Sequence, residues 1–141
     1  MLIELALSTL LVLTTAVIHG LGLLTIGRSL RALDRGAVDL ELNPHSLTGA
    51  AYTSAVVLGL LALAGIEIWF YAIVYLGIGA TTTLAASVYF STITYAAIGF
   101  SDESLAASWR LVRAIEGING VLLMGWSVAV LVSELHRIRH R

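Results

Sequence analysis

Residues Tyr89–Ser104 read YFSTITYAAIGFSDES, an uncharged run that turns acidic at Asp102, just after Gly99 and Phe100. The reading of this stretch decides the fold. A polar, glycine-bearing turn between apolar segments would be ordinary in water. In lipid, irregular backbone finds no hydrogen-bond partner and is tolerated only where protein surrounds it or where it lines water.

The rest of the chain identifies lipid as the solvent. Of 141 residues, 58% are hydrophobic and 12% charged, and the mean hydropathy is +0.92, outside the usual range of soluble domains. A net charge of -1 without basic runs argues against electrostatic binding of nucleic acid. There is no cysteine, so disulfides, thiolate metal sites and cysteine nucleophiles are excluded. The sequence has no spacing of nucleophile and base, no metal-ligand cluster and no phosphate-cradling loop. We therefore expect a non-enzyme without a cofactor.

Residues 5–27 carry no Asp, Glu, Lys or Arg between Glu4 and Arg28, enough to cross ~30 Å of hydrocarbon at about 1.5 Å per residue. The start MLIE lacks the basic region of a signal peptide, so this first span is expected to be retained. Residues 28–46 mix charges and end near Pro44, which predicts a short interfacial helix and a turn. Leu47–Ile66 is uncharged again, and the following Trp69, Phe70, Tyr71 and Tyr75 look like an interfacial aromatic belt closing a second span. Gly117–Ser133, with its flanks, makes a third span.

Orientation is read from arginine, because the chain has no lysine. Arg28, Arg31 and Arg35 follow the first span, and Arg137, Arg139 and Arg141 follow the third. These six are expected on the cytoplasmic side of the cell (inner) membrane, with the N-terminus outside and the C-terminus inside. Arg110 and Arg113 are the outer minority.

Residues 81–104 then lie between the second and third spans on the outer side. They are too short to cross twice as helix, yet apolar and helix-sized over Thr83–Tyr95, with Thr83 as N-cap. The expectation is a helix that dips in and returns, its C-terminal carbonyls favouring a cation inside the membrane.

The residues SVYFSTITYAAIGFSD (87–102) resemble the pore-helix and filter segment of the potassium channel family, whose pattern reads Y-F-S-x-x-T-x-T-T-V-G-Y-G-D. Tyr89, Phe90, Ser91 and Thr94 match the pore helix; Ala97, Ile98, Gly99, Phe100 and Ser101 match the filter, and Asp102 closes it. The segment WRLVRAIEGINGVLLMGWSVAVL (109–131) is similar to small bacterial members in which a tryptophan–arginine pair leads into the inner helix. Gly120 falls where the family often has a hinge glycine. IHGLGLL and GIEIWFYA look like a bacterial subgroup with an additional N-terminal span.

The resemblance implies an all-α membrane protein: three transmembrane helices, a re-entrant pore helix and a filter loop, assembled as a homotetramer among membrane lipids. It divides the chain into an N-terminal transmembrane helix (1–27), a cytoplasmic interfacial linker (28–46) and a pore domain (47–141). That domain comprises an outer helix, a pore loop at 81–102, an inner helix and a short basic tail. The carbonyls of Ala97, Ile98, Gly99 and Phe100 would replace the hydration shell of a permeating K+ or Na+ ion. Aiming successive carbonyls one way needs alternate residues at φ > 0, which Gly99 meets freely and Ser101 does not. Ala97 in place of the family's threonine, and Ser101 in place of its second glycine, imply weak discrimination between K+ and Na+. Phe100 in place of tyrosine costs only a hydrogen bond behind the filter.

Other polar residues carry two readings each. Glu67 reaches the interface or supports the filter region by pairing with Arg110 or Arg113. Glu116 forms a local pair with Arg113 three residues earlier or contributes to the field around the filter. His19 bonds a neighbouring helix or senses protons. Gly117 and Gly120 are close-packing points or hinges. The serine- and threonine-rich stretch itself also fits a packed helix in a non-conducting structural membrane protein or a small transporter.

Overall fold

The computed structural model describes residues 1–36, 47–99 and 109–139. Among these the chain is all helical: α1 (Leu2–Gly36), α2 (Leu47–Gly77), α3 (Leu84–Tyr95) and α4 (Arg110–Arg139). Three helices are long and apolar enough to cross a membrane, over Leu2–Ala32, Leu47–Gly77 and Arg110–Arg137. Large apolar side chains stay exposed along one stripe of α1, at Leu10, Leu13, Val17, Leu21 and Leu24. Spacings of three and four place them on one helical face. An exposed apolar face of this size belongs in lipid rather than water.

Contacts along the helices fix their directions. His19 of α1 meets Glu67 of α2, while Ile26 of α1 lies against Gly59, so α1 and α2 run antiparallel. Tyr75 of α2 bonds Glu116 of α4, and Tyr52 bonds Glu134, so α2 and α4 are antiparallel as well. The three long helices therefore alternate in direction. One apolar cluster, including Tyr71, Tyr75, Phe90 and Val112, joins α2, α3 and α4. A second, including Leu23, Leu30, Val56 and Leu60, joins α1 to α2.

Two features depart from the sequence reading. The helix of the first span does not stop before Arg28 but continues unbroken to Gly36, because nothing between Gly27 and Gly36 breaks a helix. The turn expected around Pro44 lies outside the described residues. The aromatic residues after Glu67 are not all an interfacial belt. Trp69 is half exposed, but Tyr71 and Tyr75 are buried, and their hydroxyls bond to α4. They therefore face the protein interior rather than lipid.

Candidate functional site

Helix α3 starts and stops by identifiable local chemistry. Thr83, with φ -139° and ψ 152°, is its N-cap, and its hydroxyl accepts the Ala86 N–H. This is the residue and role expected for the start of that helix. Twelve residues at about 1.5 Å each give a rod of about 18 Å, too short to cross hydrocarbon.

Along its length α3 runs against α2 and with α4. Phe90 packs edge-on against Tyr75 at 5.3 Å, and Tyr95 donates its hydroxyl proton to Glu67. Glu67 precedes the end of α2 at Gly77 by ten residues, about 15 Å of helix. The C-terminus of α3 therefore lies inside the bundle, level with Glu67 rather than with the end of α2.

Beyond Tyr95 the backbone closes in a Schellman cap. Ala97 N–H bonds Thr94 O at 2.9 Å, and Ile98 N–H bonds Ile93 O at 2.9 Å; Gly99 N–H also reaches Ile93 O, at 3.1 Å. This pattern needs a left-handed residue at its centre, and Ala97 supplies it with φ 55°. Gly99, with φ 60°, is left-handed too, so positive φ recurs at alternate residues. The peptides are all trans, so each C=O points opposite to the N–H of the next residue. With the N–H groups of 97, 98 and 99 turned back onto α3, the carbonyls of Ala96, Ala97 and Ile98 face away from it.

The end of α3 lies directly on α4. A Cβ at Gly120 would collide with the Tyr95 carbonyl, and one at Gly117 would touch Thr94 O at 3.4 Å. Gly120 is thus a close-packing point, where any side chain would displace the α3 backbone. A cavity of about 610 Å³ opens beside this junction, lined by Thr94, Ala97, Gly99, Arg113, Gly117 and Leu122, among others. Arg110 borders it too. The Thr94 hydroxyl is buried without a hydrogen-bond partner among the described residues.

Three buried polar groupings hold the helices in this arrangement. Glu116 accepts from Ser91 at 2.6 Å and from Tyr75, joining α4 to α3 and α2. Asn119 donates to Thr15 Oγ1 at 2.9 Å and to the Tyr71 hydroxyl at 3.2 Å, joining α4 to α1 and α2. Glu67 takes His19 Nδ1 at 2.9 Å on one oxygen and Tyr95 on the other. Such bonds between helices satisfy polar groups that lipid cannot.

These contacts revise the sequence reading at two acids. Glu67 is fully buried and bonds His19 and Tyr95 instead of Arg110 or Arg113, because it sits mid-helix rather than at the outer end. Glu116 spends its two carboxylate oxygens on hydrogen bonds from Ser91 and Tyr75, with the Arg113 charge near enough to act on it. Arg113 also lies over the Phe90 ring at 5.2 Å. His19 does bond neighbouring helices, including Ser127 of α4 at 3.3 Å through Nε2. Of the residues matched to the filter, Ala97, Ile98 and Gly99 form the turn after α3; Phe100, Ser101 and Asp102 lie outside the described residues. The sequence reading missed Ser91, Tyr95 and Asn119 as bonding partners, and it missed the left-handed Ala97. For Asn119 the signal was an amide inside an otherwise apolar span.

The fold and this junction define an all-helical membrane protein with three helices long enough to span the bilayer and a short fourth helix packed against α2 and α4. A family model described as ion channel matches residues 56–137, more than half of the 141 residues. The chain belongs to that family of small pore-loop cation channels. No curated protein and no solved structure matches the chain.

Proposed function

We propose that the chain forms a homotetrameric channel for monovalent cations, with α3 as a re-entrant pore helix and residues 97–101 as its filter. The observation that carries this reading is the turn after α3. It follows directly on Tyr95, which lies inside the bundle against Glu67 and Gly120, consumes its N–H groups on the helix, and leaves successive carbonyls facing away. Carbonyls arranged in this way replace water around a cation, and the negative end of the α3 dipole favours the same charge.

One chain supplies one such turn, and surrounding an ion takes several. Four copies about an axis would close the ring, and the open cavity beside Thr94, Ala97 and Gly99 would then face the neighbouring subunit. Asp102 would end the filter, and Arg110 and Arg113 would sit near its outer mouth. With alanine at 97 and serine at 101, the channel discriminates K+ from Na+ weakly, since selectivity follows the number and arrangement of coordinating oxygens.

Flux through reconstituted liposomes tests the reading. The wild-type protein is expected to pass K+ and Na+, while Gly99→Val assembles but stays silent, because a β-branched side chain is a genuine outlier at φ > 0. Impermeable wild-type liposomes, or full flux from Gly99→Val, would remove the filter from this turn. The small structural membrane protein would then be the better account.

A further inference from the structure

The matched family region begins at residue 56, so α1 lies beyond it, yet α1 reaches the end of α3 through a single line of buried side chains. His19 is 1% exposed and Glu67 0%. His19 Nδ1 lies 2.9 Å from Glu67 Oε1, and Glu67 Oε2 accepts the Tyr95 hydroxyl. His19 Nε2 lies 3.3 Å from the Ser127 hydroxyl, so both ring nitrogens and both carboxylate oxygens of the line have partners. Trp126, with its ring 5.4 Å from the imidazole, packs beside it.

Tyr95 is the last residue of α3, and the filter turn follows it directly. Its side chain is held by Glu67 and its carbonyl sits on Gly120, so its position decides where the capped peptides of 96–99 lie.

We propose that His19 is a positioning residue for the filter, acting through Glu67 and Tyr95 to fix the end of the pore helix. This inference rests on the channel reading. Removing the imidazole leaves one oxygen of a fully buried carboxylate without its partner, a costly state that is relieved by reorientation. The Tyr95 hydroxyl follows the carboxylate, and the carbonyls of 96–98 follow Tyr95. The N-terminal span is thereby part of the selectivity apparatus rather than only a membrane anchor.

The test is the K+/Na+ permeability ratio, from bi-ionic reversal potentials in planar bilayers, for wild type, His19→Ala, His19→Gln, Tyr95→Phe and Thr15→Val. A variant that only lowered the number of assembled channels would leave the ratio as it is, and Thr15→Val controls for general packing of α1. We expect His19→Ala and Tyr95→Phe to shift the ratio in the same direction, by about threefold or more. The double variant should shift it no further than the larger single change, as for residues on one line. His19→Gln, whose amide can donate to Glu67, returns the ratio towards wild type. Thr15→Val removes the α1 bond to Asn119 but lies off this line, and it leaves the ratio unchanged.

If His19→Ala fails to assemble, Tyr95→Phe decides, since it loses only a hydroxyl. A wild-type ratio in conducting Tyr95→Phe or His19→Ala channels would overturn the proposal. So would an equal shift from Thr15→Val, which would assign the effect to general packing of α1. A wild-type protein that carries no current at all would instead defeat the channel reading itself.

Discussion

At the scale of single residues, two helices of this chain end in the same motif with different residues at its centre. Helix α2 closes with Gly79 N–H on Leu76 O and Ala80 N–H on Tyr75 O, and its left-handed residue is Gly79, with φ 67°. Helix α3 closes with the same pair of bonds around Ala97, with φ 55°. Glycine is the usual residue at this position because it has no Cβ to strain, whereas a left-handed L-residue costs roughly 1–2 kcal/mol. Ala97→Gly is therefore expected to stabilise the protein by about 1 kcal/mol per chain, the relief being partly offset by glycine's greater freedom when unfolded. Thermal unfolding in detergent should show a higher midpoint; an unchanged or lower one would mean that the turn tolerates alanine without strain. Ala97→Thr should move the midpoint down, since branching at Cβ aggravates the same conformation. The left-handed Gly99 was legible in the sequence because glycine advertises its freedom. Ala97 was not, because the demand on it comes from where α3 stops and not from anything in alanine.

At the scale of elements, the junction of α3 with α4 depends on two small residues one helical turn apart, Gly117 and Gly120. They let the carbonyls of Thr94 and Tyr95 approach the α4 backbone closely, which is how small residues serve helix contacts in membranes. Gly120→Ala places a methyl group on backbone that has little room to yield, and overpacking of this kind typically costs about 1–3 kcal/mol. Gly117→Ala meets only a contact at 3.4 Å, and Gly125→Ala meets nothing within 4 Å. The expected order of destabilisation is thus Gly120, then Gly117, with Gly125→Ala neutral or mildly stabilising from helix propensity. Melting temperatures of the three variants measure it, and equal losses at 120 and 125 would remove the close-packing role. The bounds of α3 were legible because a threonine cap and an apolar run of fixed length are local signals. The partners of Glu67 and Glu116 were not, since they stand 25 to 48 residues away along the chain. An acid near aromatic residues reads the same whether its helix ends there or continues; α2 continues, and so Tyr71 and Tyr75 turned inward.

At the scale of the whole molecule, helix direction and charge combine into a topology. Three long helices alternate in direction, and each is long and apolar enough to cross a membrane; with all three crossing, we expect the two ends of the chain on opposite faces of the bilayer. Helices α1 and α4 run the same way, so Arg28 and Arg31, late in α1, lie at the same end of the bundle as Arg137, late in α4. At that end Arg137 donates to Glu134 at 2.9 Å and to the Tyr52 hydroxyl at 2.6 Å, tying the start of α2 to the close of α4. Arg110 and Arg113 begin α4 at the opposite end. The count that sets orientation is of Lys and Arg near span ends, with acids contributing little. With Arg35, Arg139 and Arg141 added from the sequence, six arginines stand against two. We therefore expect the N-terminus outside and the C-terminus in the cytoplasm. A periplasm-active reporter fused to the N-terminus should be active, as should a cytoplasm-active reporter fused to the C-terminus, while the exchanged pair should be silent. Both ends on one side would mean that one of the three long helices does not cross. Activity of the exchanged pair alone would mean that the bundle is inserted upside down, with the arginine-rich end outside. The start of α3 would then lie towards the cytoplasm, while the contacts of its C-terminus with Glu67 and Gly120 inside the bundle would stay as they are.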